Sequence, residues 1–173
     1  IESYLESPIS ALKSHGIRVH IDWTNNTPGF KFNDWEMKGV PLRMEVGPRD
    51  IENDQVVIAR RDIGERISLS KKDILSEVPK LLKLIQDNLF AQAKKFRDEN
   101  TFSVSSYQEF CSIIETGGFV RCGWNGSSKT ELKIKENTKA TIRCIPFNEN
   151  PDGKNCILSG EPAKHEVIFA KAY

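Results

Sequence analysis

Residues 28–50 read PGFKFNDWEMKGVPLRMEVGPRD and gather the side chains best able to do chemistry. Phe32 and Glu36 stand four residues apart, so a short helix places them on one face. Gly39-Val40-Pro41 then turns the chain into a strand carrying Arg43, and that strand ends in a loop holding Arg49 and Asp50. An aromatic surface, two carboxylates and two guanidiniums can thus meet at one sheet edge. Such a set suits an unstacked RNA base. The ring stacks the base, an arginine donates to the O6 and N7 edge of guanine, and a carboxylate accepts from its N1–H and N2–H. The same residues also fit a plainer arrangement, in which Glu36, Arg43 and Asp50 form surface ion pairs and Phe32 is core. Trp35 falls off the Phe32–Glu36 face and reads as core.

Elsewhere the chain offers no catalytic constellation. It has no GxSxG, HExxH, P-loop or GxGxxG pattern. The three histidines, His15, His20 and His165, fall at a helix end or near strands and read as structural. Gly117-Gly118 is a helix stop rather than a phosphate cradle. The four cysteines, at 111, 122, 144 and 156, show no CxxC spacing, and reduced thiols in a cytoplasmic setting are expected. Cys111 lies on an apolar helical stripe and Cys144 on an apolar strand, so both read as core.

Composition narrows the partners. The 173 residues hold 25 Lys+Arg against 24 Asp+Glu, a net charge of +1, which excludes a polybasic coat. Any nucleic acid must be recognised by particular residues, and DNA is not an expected partner. No apolar run approaches the roughly 20 residues that a bilayer crossing needs, so no membrane partner is expected. Glu2 and Glu6 occupy the place of a signal peptide's basic segment, and the first residue is Ile1, which suggests a piece of something longer.

The elements that must position these residues alternate as in an α/β fold. Ser7-Pro8 reads as the start of a helix that Gly16 stops, followed by a strand at 17–22. A short helix at 30–38 leads to strands at 42–46, 55–60 and 66–69. Ser70 and Asp73 suggest a capping box, with Pro79 breaking or kinking the long helix that runs to about 98. Helices at 106–116 and 129–137 alternate with strands at 119–123, 140–146 and 166–170. The reading is two small α/β domains, 1–87 and 88–173, joined by the long helix.

The run GFKFNDWEMKGVPLRMEVGPRD, followed by QVVIARRD, closely resembles the anticodon-binding domain of prolyl-tRNA synthetases. KIKENTKATIRCIPF and the ending GEPAKHEVIFAKAY resemble the C-terminal domain of the type of that family found in archaea, eukaryotes and some bacteria. The resemblance covers nearly the whole chain. It implies an anticodon-binding sheet domain, whose first strand this chain lacks, and a smaller C-terminal domain. It also implies that the positions matching Glu36 and Arg43 face the two guanines of proline anticodons, with Arg49 and Asp50 beside them. Phe32 would support or stack, and Lys31 would reach the RNA backbone. Tyr173 would turn its terminal carboxylate toward the catalytic domain.

The partners implied are proline tRNA and the parent's own class II catalytic domain, in a parent expected to be a homodimer. ATP and magnesium would serve that missing domain, and the piece alone would catalyse nothing. Many relatives hold structural zinc with four cysteines. Here those positions read Cys122, Ser127, Cys156 and Ser159, so zinc is not expected. The competing reading is a stand-alone interaction module built on the anticodon-binding fold.

Overall fold

The computed structural model describes residues 1–172 and is α/β. The chain divides into two compact units, Ile1–Gln92 and Ala93 onward, with the division inside one long helix.

In the first unit, helix α1 spans Glu2–Ser14 and buries Leu5, Pro8 and Leu12. It starts five residues before the expected Ser7 cap. Pro8 sits inside it on the buried face, where its missing N–H costs one helical bond. Gly16, at φ +78°, ends the helix as expected.

The strand expected at 17–22 does not form. The segment pairs with no described strand, although Ile17 and Val19 still pack against the core at alternate positions. Apolar alternation brings side chains to one side, but a strand also needs a hydrogen-bonded neighbour.

Helix α2, Pro28–Met37, starts earlier than expected because Thr27 caps it. The Thr27 hydroxyl accepts from the Phe30 N–H at 3.4 Å, with Pro28 at the first helical position. Strand β1 (Leu42–Glu45), a short helix α3 (Pro48–Glu52) that sequence reading missed, and strands β2 (Gln55–Arg60) and β3 (Arg66–Ser70) follow. The sheet order is β1-β2-β3, antiparallel throughout. Met44, Ile58 and Ile67 stand in register on the inner face, with Leu42, Val56 and Leu69. Leu12 of α1 covers this face together with Ile74, Val78 and Leu81 of α4. Each such fully buried aliphatic contributes about 1.5–3 kcal/mol. The outer face carries Arg43, Glu45, Ala59 and Arg66, and it builds the site.

The capping box expected at Ser70 is absent. Ser70 makes no side-chain cap bond, and a 3-10 turn over Lys71–Asp73 leads instead into helix α4, Ile74–Glu99. Pro79 neither ends nor interrupts this helix. It is exposed in the second turn, where water can reach the Leu75 carbonyl left without a donor.

The second unit is a four-stranded mixed sheet, ordered β4-β5-β7-β6. It comprises β4 (Thr101–Ser103), which sequence reading missed, β5 (Phe119–Trp124), β6 (Ala140–Cys144) and β7 (His165–Lys171). Helices α5 (Tyr107–Thr116) and α6 (Ser128–Thr138) cover it. Phe110 meets Phe169 edge to face at 5.3 Å at the centre of the core. Gly123 is required by a close approach, because a Cβ there would lie 2.4 Å from the Asn155 carbonyl oxygen.

Candidate nucleic-acid interface

Arg43 is the centre of the first unit's outer face. Strand alternation puts Arg43 and Glu45 on the same side, and the Nε–H of Arg43 donates to Glu45 at 3.0 Å. One terminal nitrogen donates to Glu36 of α2 at 2.6 Å. The guanidinium lies 3.9 Å over the Phe32 ring. Phe32 and Glu36 share a helix face, as their spacing predicts, and that face meets β1. The second terminal nitrogen of Arg43 has no partner among the described residues.

The plainer sequence reading of this cluster is realised in part. The Glu36–Arg43 ion pair exists, and its surface position makes it cheap to open: the Glu36 side chain is 50% exposed. Phe32, however, is not core. Helix α2 has no buried residue, and the Phe32 face is covered by the guanidinium it supports.

The other expected site residues, Lys31, Asp50 and Arg49, make no side-chain hydrogen bond or ion pair with this cluster among the described residues. Lys31 turns toward the preceding loop, donating to the Asp22 carbonyl at 3.0 Å and standing 3.6 Å from the Asp22 carboxylate. Asp50 serves its own helix. Its carboxylate accepts from the Gly47 N–H at 2.8 Å at the start of α3, and from Gln55 Nε2 at 3.3 Å. Arg49 beside it is exposed and forms no ion pair among the described residues. Tyr173 lies outside the described residues.

Trp35 is a bracket rather than core. Its indole N–H donates to Asp22 at 2.8 Å, while His20 packs 4.4 Å from the ring and Lys38 also lies over it. Asp22 therefore ties the loop before α2 to the helix. Hydrogen bonds from the Thr24 hydroxyl, the Trp35 indole and the Thr24 N–H, with Lys31 nearby, hold its carboxyl well below the usual carboxylate range.

Sequence reading also missed Glu45, Ala59 and Arg66. Glu45 bridges to Arg66 through its second oxygen. A recess opens over Ala59, walled by Trp35, Glu36, Arg43, Arg61 and Arg66. The alternation of β1 places Glu45 beside Arg43, but only strand register brings Arg66 to them.

In the second unit lie the four zinc-position residues, Cys122, Ser127, Cys156 and Ser159. They supply two thiols and two hydroxyls, and no group of three or more His, Cys, Asp or Glu among the described residues is arranged for a metal. Ser159 and Asn125 instead bind Glu161, at 3.1 and 2.5 Å. Burial, with help from Cys156 and Glu166, pushes the Cys122 thiol up to about 12. Cys144, expected as core, is exposed at the end of edge strand β6, and Cys111 is half-buried. His165 pairs with Glu149 at 3.3 Å.

The loop at 148–154 is held by Glu166, which is buried. Its carboxylate takes Arg121 at 2.6 Å, Lys154, and the Asn150 N–H at 3.1 Å. Burial alone would raise its pKa, but these three donors outweigh it and hold the carboxyl below its ordinary value.

Comparison with known proteins accounts for both units. Residues 1–81 match the family model "Anticodon binding domain", and residues 107–173 match "Prolyl-tRNA synthetase, C-terminal". A proline–tRNA ligase of Cytophaga hutchinsonii is 43% identical over 100% of this chain and 36% of its own length. One from Acetoanaerobium sticklandii is 49% identical over 94% of the chain and 34% of its own length. The chloroplastic/mitochondrial enzyme of Arabidopsis thaliana is 43% identical over 94% of the chain and 31% of its own length. The chain thus spans about a third of the length of the curated relatives it matches.

Proposed function

The chain belongs to the prolyl-tRNA synthetase family, matching its anticodon-binding and C-terminal parts, and we propose that it reads the anticodon of proline tRNA through the Arg43 cluster. The observation that carries this reading is the state of Arg43. Phe32 supports its plane, Glu45 holds its Nε, Glu36 takes one terminal nitrogen and the other has no partner among the described residues, beside the recess over Ala59. An arginine held flat can donate through both terminal nitrogens to the O6 and N7 of a guanine once Glu36 releases the one it holds. Glu36, half in solvent, can leave Arg43 and accept from the same base's N1–H and N2–H. Arg49, exposed and unpaired at the edge of the unit, suits a phosphate.

The parent protein joins proline to its tRNA through an adenylate made from ATP, and that chemistry belongs to the two-thirds of the relatives' length outside this chain. Here the residues bind and select. A near-neutral chain relies on a few placed contacts for this, with modest non-specific binding.

The test is binding of the chain to anticodon stem-loops that carry guanine or adenine at the two proline-specific positions. Arg43→Ala and Glu36→Ala should each cost about 1–3 kcal/mol of guanine preference, roughly 5- to 150-fold. If both variants prefer guanine as strongly as the wild type, Arg43 and Glu36 are not the readers.

A further inference from the structure

Register on the outer face of the first sheet creates an electrostatic problem. Arg43 of β1 and Arg66 of β3 both stand opposite Ala59 of β2. Neighbouring strands lie about 4.8 Å apart, so two cations share one face with only a methyl group between them. Like charges placed this way repel and would splay. Glu45 resolves this with a single carboxylate, one oxygen taking the Arg43 Nε–H at 3.0 Å and the other taking Arg66.

The two carboxylates on Arg43 are not equivalent. Glu36 is 50% exposed, whereas Glu45 is 15% exposed and is held from both sides. A ligand can compete for the first without disturbing the second.

We propose that Glu45 is the positioning residue of this site: it fixes the Arg43 guanidinium through Nε so that its terminal edge faces the recess over Ala59, while Arg66 neutralises Glu45's second oxygen. The inference rests on the reading of Arg43 as a guanine reader and assigns how that arginine is aimed. Glu45 touches no base. It acts through Arg43, because a guanidinium pinned at Nε and lying on Phe32 has little rotational freedom left at its outer edge. Arg66 has a separate consequence. Without it, the second oxygen of Glu45 would lose its cation and the face would carry one positive charge fewer toward an RNA backbone.

The experiment compares Glu45→Ala, Glu45→Gln, Arg66→Ala and Arg43→Ala in the 173-residue chain, using stem-loops with guanine or adenine at the proline-specific positions. Glu45→Ala should reduce the guanine-over-adenine ratio roughly tenfold, approaching the Arg43→Ala value. Glu45→Gln keeps an acceptor for the Arg43 Nε–H and should recover most of the ratio. Arg66→Ala should weaken binding to both stem-loops alike, most at low salt, with the ratio retained.

A Glu45→Ala variant with the wild-type ratio, alongside an Arg43→Ala variant that has lost it, overturns the positioning role and leaves the Arg43 reading standing. A wild-type chain without guanine preference overturns the reading itself. A second measurement needs no RNA and no folded variant. In nitrogen-15 NMR of the wild-type chain, the Arg43 Nε–H should exchange slowly with water and show its bond to a carboxylate. A freely exchanging Arg43 Nε–H overturns the proposal.

Discussion

Neutralising Glu166 tests whether an ionic staple organises the second unit. Its side chain is 3% exposed, and the carboxylate meets Arg121, Lys154 and the Asn150 N–H. Glu166→Gln keeps the shape and removes the charge. Hydrogen bonds to a charged group contribute about 1.5–3 kcal/mol each. The two cations left behind are 26% and 41% exposed, so water recovers part of that loss. The expected cost is about 2 kcal/mol. In a domain of 60–100 residues each kcal/mol shifts Tm by roughly 4–8 °C, giving a drop of about 8–16 °C.

The sign with pH follows from the direction of the shift. Glu166 is more acidic in the folded state, so its contribution is present above the unfolded carboxylate pKa near 4.3 and is lost as pH falls through the folded value. Hydrogen exchange of the β5 and β7 amides in the full chain, at pH 7 and at pH 3, reads this unit specifically. The gap between wild type and variant should be wide at pH 7 and narrow at pH 3. A gap of equal size at both would refute ionic pairing as its source.

Three further outcomes follow from the geometry. Ala59→Leu should fill the recess between Arg43 and Arg66 and lower guanine preference by roughly tenfold or more in stem-loop titrations, so an unchanged preference would remove the recess from the site. Asp22→Asn should loosen α2 by weakening the Trp35 and Lys31 ties; its destabilisation in tryptophan-monitored urea unfolding should be present at pH 7 and fade as pH falls below the ordinary aspartate range, and a loss independent of pH would contradict the ionised tie. Iodoacetamide should modify exposed Cys144 first and leave Cys122 untouched in the folded chain, as read by mass spectrometry, because Cys122 is buried and its thiol is pushed up to about 12; equal rates would contradict its placement.

What the sequence determined by itself was local. The Phe32–Glu36 spacing specified a shared helix face, and the β-branched run at 55–60 specified a strand. Gly16 and Gly117 marked helix ends, and the motif around 28–50 pointed to the family. Local signals failed where a distant partner had the deciding vote. Residues 17–22 alternate like a strand but find no ladder partner among the described residues. Ser-Pro at 7–8 reads as a helix start, yet α1 runs from Glu2 to Ser14 with Pro8 inside it on the buried face.

At the candidate site, residue type singled out Glu36 and Arg43 but not what would hold them. Lys31 went to Asp22, and Asp50 to the start of its own helix, each to a partner close in the chain. Glu45 and Arg66 became part of the site only through the pairing of β1, β2 and β3. Alternation along a strand says which side chains share a face, but only the register between strands sets two arginines across one alanine and makes a carboxylate necessary between them.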